Sequence, residues 1–225
     1  MTTVKKFLRE HRWFFILLGV MLLIRSAVVD WYVIPSGSMY PTLLIGDRVF
    51  ANRLAYDVKF PFTDVILYRM RDPQRGDVVT FTSPNGIRLI KRLIAIPGDI
   101  VEMRDGDLII NGAKASYQLI YEPNPDHLEP DYQGPQFVYR ETLGRRSSLI
   151  IVRPQDPSRI RSFGPLTIHR DEYLMLGDNR DNSRDSRYIG LIHRAYLTAR
   201  VRYIMFSLDE QHHNRPRTSR FLAPI

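Results

Sequence analysis

The chain of 225 residues contains no cysteine. This absence excludes disulfide bonds, a thiolate nucleophile and cysteine-based metal sites, although it leaves the redox compartment open. Glycine and proline are present without a repeating period, which excludes a collagen-like chain. Hydrophobic residues make up 44% of the sequence, so the chain can form a substantial core in one large or two small domains.

Long apolar runs are also scarce, and the one that stands out is residues 13–24, followed by Arg25, Ser26 and apolar residues 27–29. On length alone this run is short for a membrane span, and the core of a cleaved signal peptide is the alternative. No small-x-small cleavage site follows it directly. Trp13 and Trp31 would lie about 27 Å apart along a helix, close to the spacing of the two bilayer interfaces where tryptophan is enriched. The sequence therefore predicts one transmembrane helix over residues 13–30.

A basic stretch suited to nucleic acid is missing too, despite a net charge of +8. Several basic residues precede the apolar run, and no Lys/Arg run with interleaved aromatic residues stands out after it. A preference for the membrane surface explains this distribution more simply. Basic residues before a span predict a cytoplasmic tail at residues 1–12 and place the body of the chain outside the cytoplasm. We therefore expect membrane lipid, and not nucleic acid, as a partner.

Beyond residue 32 helical periodicity is poor, and short apolar runs recur between Gly, Pro and Asp turns. Such runs predict strands, here at residues 48–52, 77–82, 87–96, 107–110, 136–140, 148–152, 172–176 and 198–207. Asn111-Gly112 is a hairpin signal. The predicted fold class is mainly β, with a single N-terminal transmembrane helix followed by an all-β catalytic domain over 31–117 and 167–210. The proline-rich residues 118–166 predict a smaller, loop-rich inserted subdomain, and residues 211–225 a polar tail.

A serine nucleophile needs a base, and none of the six histidines lies beside a recognisable triad partner. Lysine is the alternative base, and it must lose its proton, so its pKa must fall well below the ordinary value of about 10.4. Strand alternation places Lys91 on one face with Leu89 and Leu93. A surface lysine whose stem packs while its amine reaches water is the competing interpretation, and this strand alone leaves both open.

The candidate serines lie in Ser36-Gly37-Ser38, directly after Pro35 and close to the predicted span. On its own such a triplet is typical of a solvent-exposed turn. A polar run at residues 177–187 is typical of a solvated loop or a calcium site, but it lacks the spaced glutamate of an EF-hand loop. Its Ser, Asn and Asp–Arg pairs are also suited to orienting catalytic groups through hydrogen bonds. We predict no metal and no cofactor.

Four segments occur in order, PSGSMYPTLLIGD at 35–47, RGDVVTF at 75–81, IKRLIAIPGD at 90–99 and GDNRDNSRDSRYIG at 177–190. Through these motifs and the N-terminal apolar segment, the chain resembles the bacterial type I signal peptidases, which remove signal peptides from exported proteins. The four motifs together are highly specific, whereas none of them alone would be. The resemblance is weakest at residues 118–166 and after residue 207.

The resemblance implies that Ser38 is the nucleophile, that Lys91 is its general base and that Ser36 is the hydroxyl of the oxyanion hole. It implies that Ser183 orients the lysine amine. Supporting ionic contacts in the same loop are assigned to Asp185, Arg187 and Asp178. A shallow, apolar substrate pocket is assigned to Ile34, Pro35, Met39, Leu43, Leu89 and Ile90.

The resemblance also implies a monomeric serine endopeptidase that cleaves exported preproteins after small residues, at an Ala-x-Ala site. It implies a location in the bacterial cytoplasmic membrane, with the catalytic domain on the periplasmic face. One alternative is a peptidase of the same clan that is dedicated to a pilin or conjugation substrate. A second, from a different class, is a catalytically silent, membrane-anchored β domain that binds exported chains. A cytoplasmic self-cleaving repressor is disfavoured by the predicted anchor.

Overall fold

The computed structural model describes residues 6–7, 9–121, 127–155, 160–210 and 213–225. Residues 1–5 and 8 of the predicted basic tail, two stretches of the predicted insertion (122–126 and 156–159) and residues 211–212 lie outside the described residues.

Helix α1 covers Arg12–Ala27 and consists of 16 residues. Many of its apolar side chains are exposed, and among them are Trp13, Phe14, Ile16 and Leu17. Within the described part of the chain, no helix has the length and apolar character needed to cross a membrane. The predicted helix over 13–30 is corrected at its C-terminal end, because residues 29–33 form a strand that pairs with the main sheet.

The body of the chain is built from strands, which confirms the prediction of a mainly β protein. In chain order the described strands are β1 (Val29–Val33), β2 (Asp47–Asn52), β3 (Asp57–Lys59), β4 (Ile66–Arg69), β5 (Val78–Thr82), β6 (Arg88–Ala95), β7 (Ile100–Arg104), β8 (Asp107–Ile110), β9 (Ala113–Lys114), β10 (Ser116–Ile120), β11 (Phe137–Leu143), β12 (Arg146–Val152), β13 (Phe163–Thr167), β14 (Glu172–Leu176), β15 (Ile192–His193), β16 (Leu197–Asp209) and β17 (Arg215–Pro216). A short second helix, α2, covers Ser186–Ile189.

The main sheet has the strand order β1-β2-β16-β5-β6-β14-β15, with β17 added to β16, and its described pairs are antiparallel. The eight predicted strands each correspond to an observed one. The buried part of β14, residues 173–176, is a continuous apolar run, whereas the buried parts of β5 and β6 include Thr80, Lys91 and Arg92. Strand β14 pairs with β6 as far as Leu176↔Arg92, so this pairing stops next to Lys91. The first half of β6 therefore has an edge available beside the candidate site.

Two smaller sheets form the inserted part of the chain. One has the order β13-β7-β8-β9 and the other the order β10-β11-β12. The Asn-Gly hairpin is confirmed, since Asn111 and Gly112 both have positive φ values and join β8 to β9. These sheets begin at Ile100, earlier in the chain than the predicted boundary at residue 118.

Residues 213–225, the described end of the predicted polar tail, pack back onto the main sheet. Arg220 forms an ion pair with the buried Asp47, with an Nη2–Oδ2 distance of 2.6 Å. Arg217 donates a hydrogen bond to the carbonyl oxygen of Ile45 at 2.9 Å. The partly buried Ile225 contacts the apolar cluster under the segment that carries Ser38. This end of the chain therefore supports the region of the candidate site.

Candidate active site

Ser38 lies in a single 3₁₀ turn, Gly37–Met39, that follows directly from the extended Ser36. Met39 is 2% exposed and packs into the apolar core, so its side chain anchors the turn to the core. Ser38 itself is half-buried. The turn is closed by a hydrogen bond from the Tyr40 N–H to the Gly37 carbonyl at 3.1 Å, and the amide of Ser38 is not used by it. This geometry leaves both the hydroxyl and the amide of Ser38 for an incoming group.

Lys91 reaches the serine from strand β6, and the distance between Lys91 Nζ and Ser38 Oγ is 2.6 Å. The lysine is only 2% exposed. Desolvation by burial lowers the pKa of Lys91 to about 8, although the charges of Asp185 and Asp178 act in the opposite direction. A lysine with this pKa has a substantial neutral fraction near pH 8 and can then accept a proton from the serine. The competing interpretation, an amine that reaches water, does not fit this burial.

The hydroxyl group of Ser36, the other serine of the triplet, lies close to that of Ser38. The distance between Ser36 Oγ and Ser38 Oγ is 3.5 Å, and Ser36 is exposed. A hydroxyl close to Ser38 and the backbone N–H of Ser38 itself are the two kinds of donor that an oxyanion hole uses.

The polar run at 177–187 wraps around the catalytic turn. The backbone N–H of Asn179 donates to the carbonyl oxygen of Ser38 at 3.2 Å, and the side-chain Nδ2 of Asn179 donates to the carbonyl oxygen of Gly37 at 3.0 Å. A Cβ atom on Gly177 would lie 2.2 Å from Ser183 Oγ and 2.5 Å from the carbonyl oxygen of Ser38, so only glycine fits there. Ser183 Oγ is buried and, within the described residues, has no hydrogen-bond partner.

The loop is held by a buried pair formed by Asp185 and Arg187. Arg187 Nε donates to Asp185 Oδ1 and Arg187 Nη2 to Asp185 Oδ2, both at 2.8 Å. The amide of Gly177 donates to the same carboxylate at 3.0 Å. Burial alone would raise the pKa of Asp185, but the hydrogen bonds and the charge of Arg187 outweigh it and lower that pKa. The Asp185 carboxylate therefore stays ionised, and its contacts with Arg187 and Gly177 fix both ends of the loop.

A second buried pair joins the loop to strand β6. Arg92 donates to both carboxylate oxygens of Asp178, at 2.7 Å and 2.6 Å, and Thr42 Oγ1 donates to Asp178 Oδ2 at 2.5 Å. Arg92 follows Lys91 directly on β6, and Thr42 lies shortly after the turn that carries Ser38. The contact with Asp178 therefore connects the turn, strand β6 and the loop 177–187. A third pair, Arg180 with Glu141, connects the loop to β11 of the inserted part.

A groove of about 290 Å³ runs past Ser38 and Lys91. Five of the six predicted pocket residues line it, namely Ile34, Pro35, Met39, Leu89 and Ile90. The sixth prediction, Leu43, is wrong, because this side chain is fully buried in the core next to Met39 and Val49. Four lining residues escaped the sequence prediction, Tyr32, Val33, Ile87 and Arg88. Extending the two predicted lining strands by a few positions would have found them.

Sequence reasoning also missed the polar residues that support the turn. Asn179 and Thr42 lie inside the quoted motifs, but their roles depend on contacts between segments that are far apart in the chain. Glu141 carries no local signal at all. Among the residues that the structure describes, no group of three or more His, Asp or Glu residues is arranged to hold a metal ion.

A family model described as signal peptidase, peptidase S26, matches residues 7–206. The chain belongs to this family. It is 40% identical to the signal peptidase I of Pseudomonas aeruginosa over 178 residues, which are 78% of this chain and 60% of that protein. It is 31% identical to the signal peptidase I of Aquifex aeolicus over 223 residues, which cover 86% of this chain and 82% of that protein.

The match thus spans less than two thirds of the length of the Pseudomonas relative. A solved structure of a signal peptidase I from Enterococcus faecalis is 27% identical and covers 58% of this chain and 97% of its own, with a TM-score of 0.35.

Proposed function

We propose that the chain is a serine endopeptidase that removes N-terminal signal peptides from exported preproteins. The observation that carries the proposal is the 2.6 Å distance between the buried Lys91 Nζ and Ser38 Oγ. Membership of the signal peptidase family supports the substrate class. The supporting contacts of the 177–187 loop are what a preorganised site needs, since they fix the turn and the strand relative to each other.

In the proposed mechanism the neutral Lys91 amine takes the proton of Ser38 Oγ, which attacks the scissile carbonyl carbon. The oxyanion accepts hydrogen bonds from the Ser38 amide and the Ser36 hydroxyl. The C–N bond then breaks, and the Lys91 ammonium gives its proton to the leaving amine. Water attacks the carbonyl carbon of the acyl-enzyme and gives a proton to Lys91; the C–Oγ bond then breaks, the new carboxyl terminus leaves, and Lys91 returns the proton to Ser38 Oγ. Ser183 Oγ makes no hydrogen bond within the described residues, so the role proposed for it, to orient the lysine amine, requires it to turn toward Lys91 during this cycle.

The groove supports a substrate bound as an extended strand. It lies between the end of β1 and the first half of β6, where the pairing with β14 has stopped. A peptide placed there would pair with the available edge and point alternate side chains inward. Because the lining by Ile34, Leu89 and Ile90 is apolar and the groove is small, we propose that it selects small side chains, as in an Ala-x-Ala site.

We propose that the protein works at a membrane surface. The exposed apolar side chains of α1 continue onto the β3–β4 hairpin, where Phe60, Phe62, Val65 and Leu67 are exposed. The backbone N–H of Phe62 donates a hydrogen bond to Ser26 Oγ, so the hairpin lies beside the C-terminal end of the helix. Clusters of exposed large apolar side chains mark surfaces that contact lipid or protein. Flotation with anionic lipid vesicles tests this: the chain should float, and F60D/F62D should float less. Wild-type protein left in the dense fraction would contradict it.

The direct test of the peptidase function incubates the purified chain in detergent with a preprotein, beside the Ser38→Ala and Lys91→Ala variants. We expect cleavage after the signal peptide by the wild type alone. Binding of the preprotein without cleavage would favour the catalytically silent β domain. Cleavage of pilin-like precursors only would favour the dedicated peptidase. Cleavage by both variants would show that the assigned dyad is wrong.

A further inference from the structure

Glu129 comes from the inserted part of the chain, and its carboxylate lies behind the turn that carries Ser38. The side chain is 13% exposed. Its backbone is clamped by one residue, because the Glu129 amide donates to Gln136 Oε1 at 2.9 Å and Gln136 Nε2 donates to the Glu129 carbonyl at 2.8 Å. The carboxylate is therefore presented to the active site from a fixed backbone.

Three side chains bind this carboxylate. Asn179 Nδ2 donates to Glu129 Oε2 at 2.8 Å, and Asn182 Nδ2 donates to both oxygens at 2.8 Å and 3.1 Å. Arg153, which is 4% exposed, forms an ion pair with it. A carboxylate in this position is stable only when its charge is paired and its oxygens accept hydrogen bonds. Both conditions are met, so Glu129 holds the amide group of Asn179 in one orientation.

Asn179 in turn fixes the orientation of a peptide group in the Gly37–Met39 turn. The same Nδ2 group that donates to Glu129 also donates to the carbonyl oxygen of Gly37 at 3.0 Å. The carbonyl of Gly37 and the N–H of Ser38 belong to one planar trans peptide, so they point in opposite directions. Fixing the Gly37 carbonyl therefore aims the Ser38 N–H. That N–H is the backbone donor of the proposed oxyanion hole.

Gly37 shows how closely the carboxylate approaches the turn. A Cβ atom on this residue would lie 2.8 Å from Glu129 Oε1, closer than real side chains come. Gly37 is not among the glycines with positive φ, so its backbone conformation does not require glycine. The space at this residue is limited by the Glu129 carboxylate and, at 3.0 Å, by the ring of Tyr40.

We propose that Glu129 is a positioning residue, which aims the Ser38 N–H at the oxyanion by way of Asn179 and the Gly37 carbonyl. The inference rests on the proposed peptidase function. It also assigns a role to the inserted part of the chain, in which the sequence showed no chemistry.

The test measures kcat and KM for preprotein cleavage by the wild type, Glu129→Gln, Glu129→Ala and Glu129→Asp. We expect the Gln and Ala variants to lose about 10- to 100-fold in kcat, with KM nearly unchanged, because the oxyanion forms only after substrate has bound. Gln keeps only one acceptor oxygen, so its NH₂ group meets the NH₂ donor of Asn182, and the buried Arg153 loses its charged partner. Asp keeps the charge, so it should retain more of kcat. Glu102→Gln, which removes a carboxylate paired with Arg104 outside the site, is the matched control.

A double-mutant comparison of Glu129 and Asn179 distinguishes a positioning role of Glu129 from a role in the stability of the fold alone. If Glu129 acts through Asn179, Glu129→Ala should lower kcat by less than about 2-fold in an Asn179→Ala background, because energies of residues in one network do not add. Gly37→Ala keeps the charge and pushes the turn and the carboxylate apart. It should also lower kcat. If Glu129→Ala unfolds below the assay temperature, Gly37→Ala replaces it in the test.

Wild-type kcat in Glu129→Ala or in Gly37→Ala, a change in KM alone, or full additivity with Asn179→Ala would overturn the inference. No cleavage by the wild-type chain would contradict the proposed function itself, and the inference would fall with it.

Discussion

Lys91 Nζ lies 2.6 Å from Ser38 Oγ, although the two residues are 53 positions apart and belong to different segments. The contact exists because the 3₁₀ turn and strand β6 are tied by the Thr42–Asp178–Arg92 cluster. The lysine is enclosed by the polar loop and loses most of its access to water. The same enclosure that lowers its pKa therefore also places it against the hydroxyl of Ser38.

Lys91→Met should abolish cleavage and make the protein more stable at pH 7. Burying the lysine charge is unfavourable, and an apolar side chain of similar length removes that cost, with a gain of about 1–3 kcal/mol in the free energy of unfolding. The folded pKa of about 8 lies below the reference value of 10.5, so the unfolded state binds more protons between these values and wild-type stability rises with pH there. The advantage of Lys91→Met should thus shrink by pH 10. Denaturant unfolding at both pH values checks this, and equal stabilities at pH 7 would contradict it.

Asp185→Asn should move the pH dependence of cleavage to lower pH. The charge of Asp185 raises the pKa of Lys91, and the charge of Arg187 lowers it. Removing the carboxylate charge leaves only Asp178 to oppose the lowering effects of burial and Arg187, so the lysine should lose its proton more easily. The variant should also be less stable by about 3–5 kcal/mol, because Arg187 is left as a buried charge without its partner. A pH–rate profile of the variant at low temperature gives the readout, and a shift to higher pH would speak against this arrangement.

Gly177→Ala should lower kcat by about 100-fold, since even a displacement near 1 Å is costly at a catalytic site. The new Cβ would fall 2.2 Å from Ser183 Oγ and 2.5 Å from the carbonyl oxygen of Ser38, so the loop and the catalytic turn must move apart. Gly19→Ala is the matched control, because a Cβ at Gly19 meets nothing within 4 Å. Steady-state cleavage rates of the two variants give the comparison. Equal activity would show that the loop does not hold the turn.

Leu89→Ala should widen the groove and admit larger side chains at the cleavage site. Because pocket contacts discriminate by about 10- to 200-fold per methylene, we expect the rate for a leucine-containing site to rise at least about 10-fold relative to the alanine site. Leu43→Ala is the control: Leu43 is fully buried in the core, so its loss should cost about 2–5 kcal/mol of stability and leave selectivity unchanged. A change in selectivity with Leu43→Ala instead would mean that the groove is wrongly assigned.

The mainly β fold could be predicted from local patterns, because alternation and turn residues mark the central strands clearly. The end of α1 could not: residues 27–29 are apolar and follow an apolar run, and periodicity does not separate a continuing helix from a short edge strand. Tertiary pairing with β2 decides in favour of the strand.

Part of the site could be proposed from the sequence. Ser38 and Lys91 were assigned through the ordered motifs, because the apolar face of the strand alone left a surface lysine as an alternative. Leu43 was misassigned because neighbours in a motif can point into the core as well as into a groove. Glu129 and Glu141 were not found because they act across long separations, from a segment whose sequence resembles an ordinary loop.

The pH dependence of kcat/KM for preprotein cleavage by the wild-type chain tests the Ser38–Lys91 assignment most directly. Since the protonated lysine cannot accept the serine proton, activity should rise with pH through a midpoint near the Lys91 pKa of about 8 and then level off. A rise centred near 6.5, the ordinary pKa of histidine, or activity that does not change between pH 6 and 10, would contradict it.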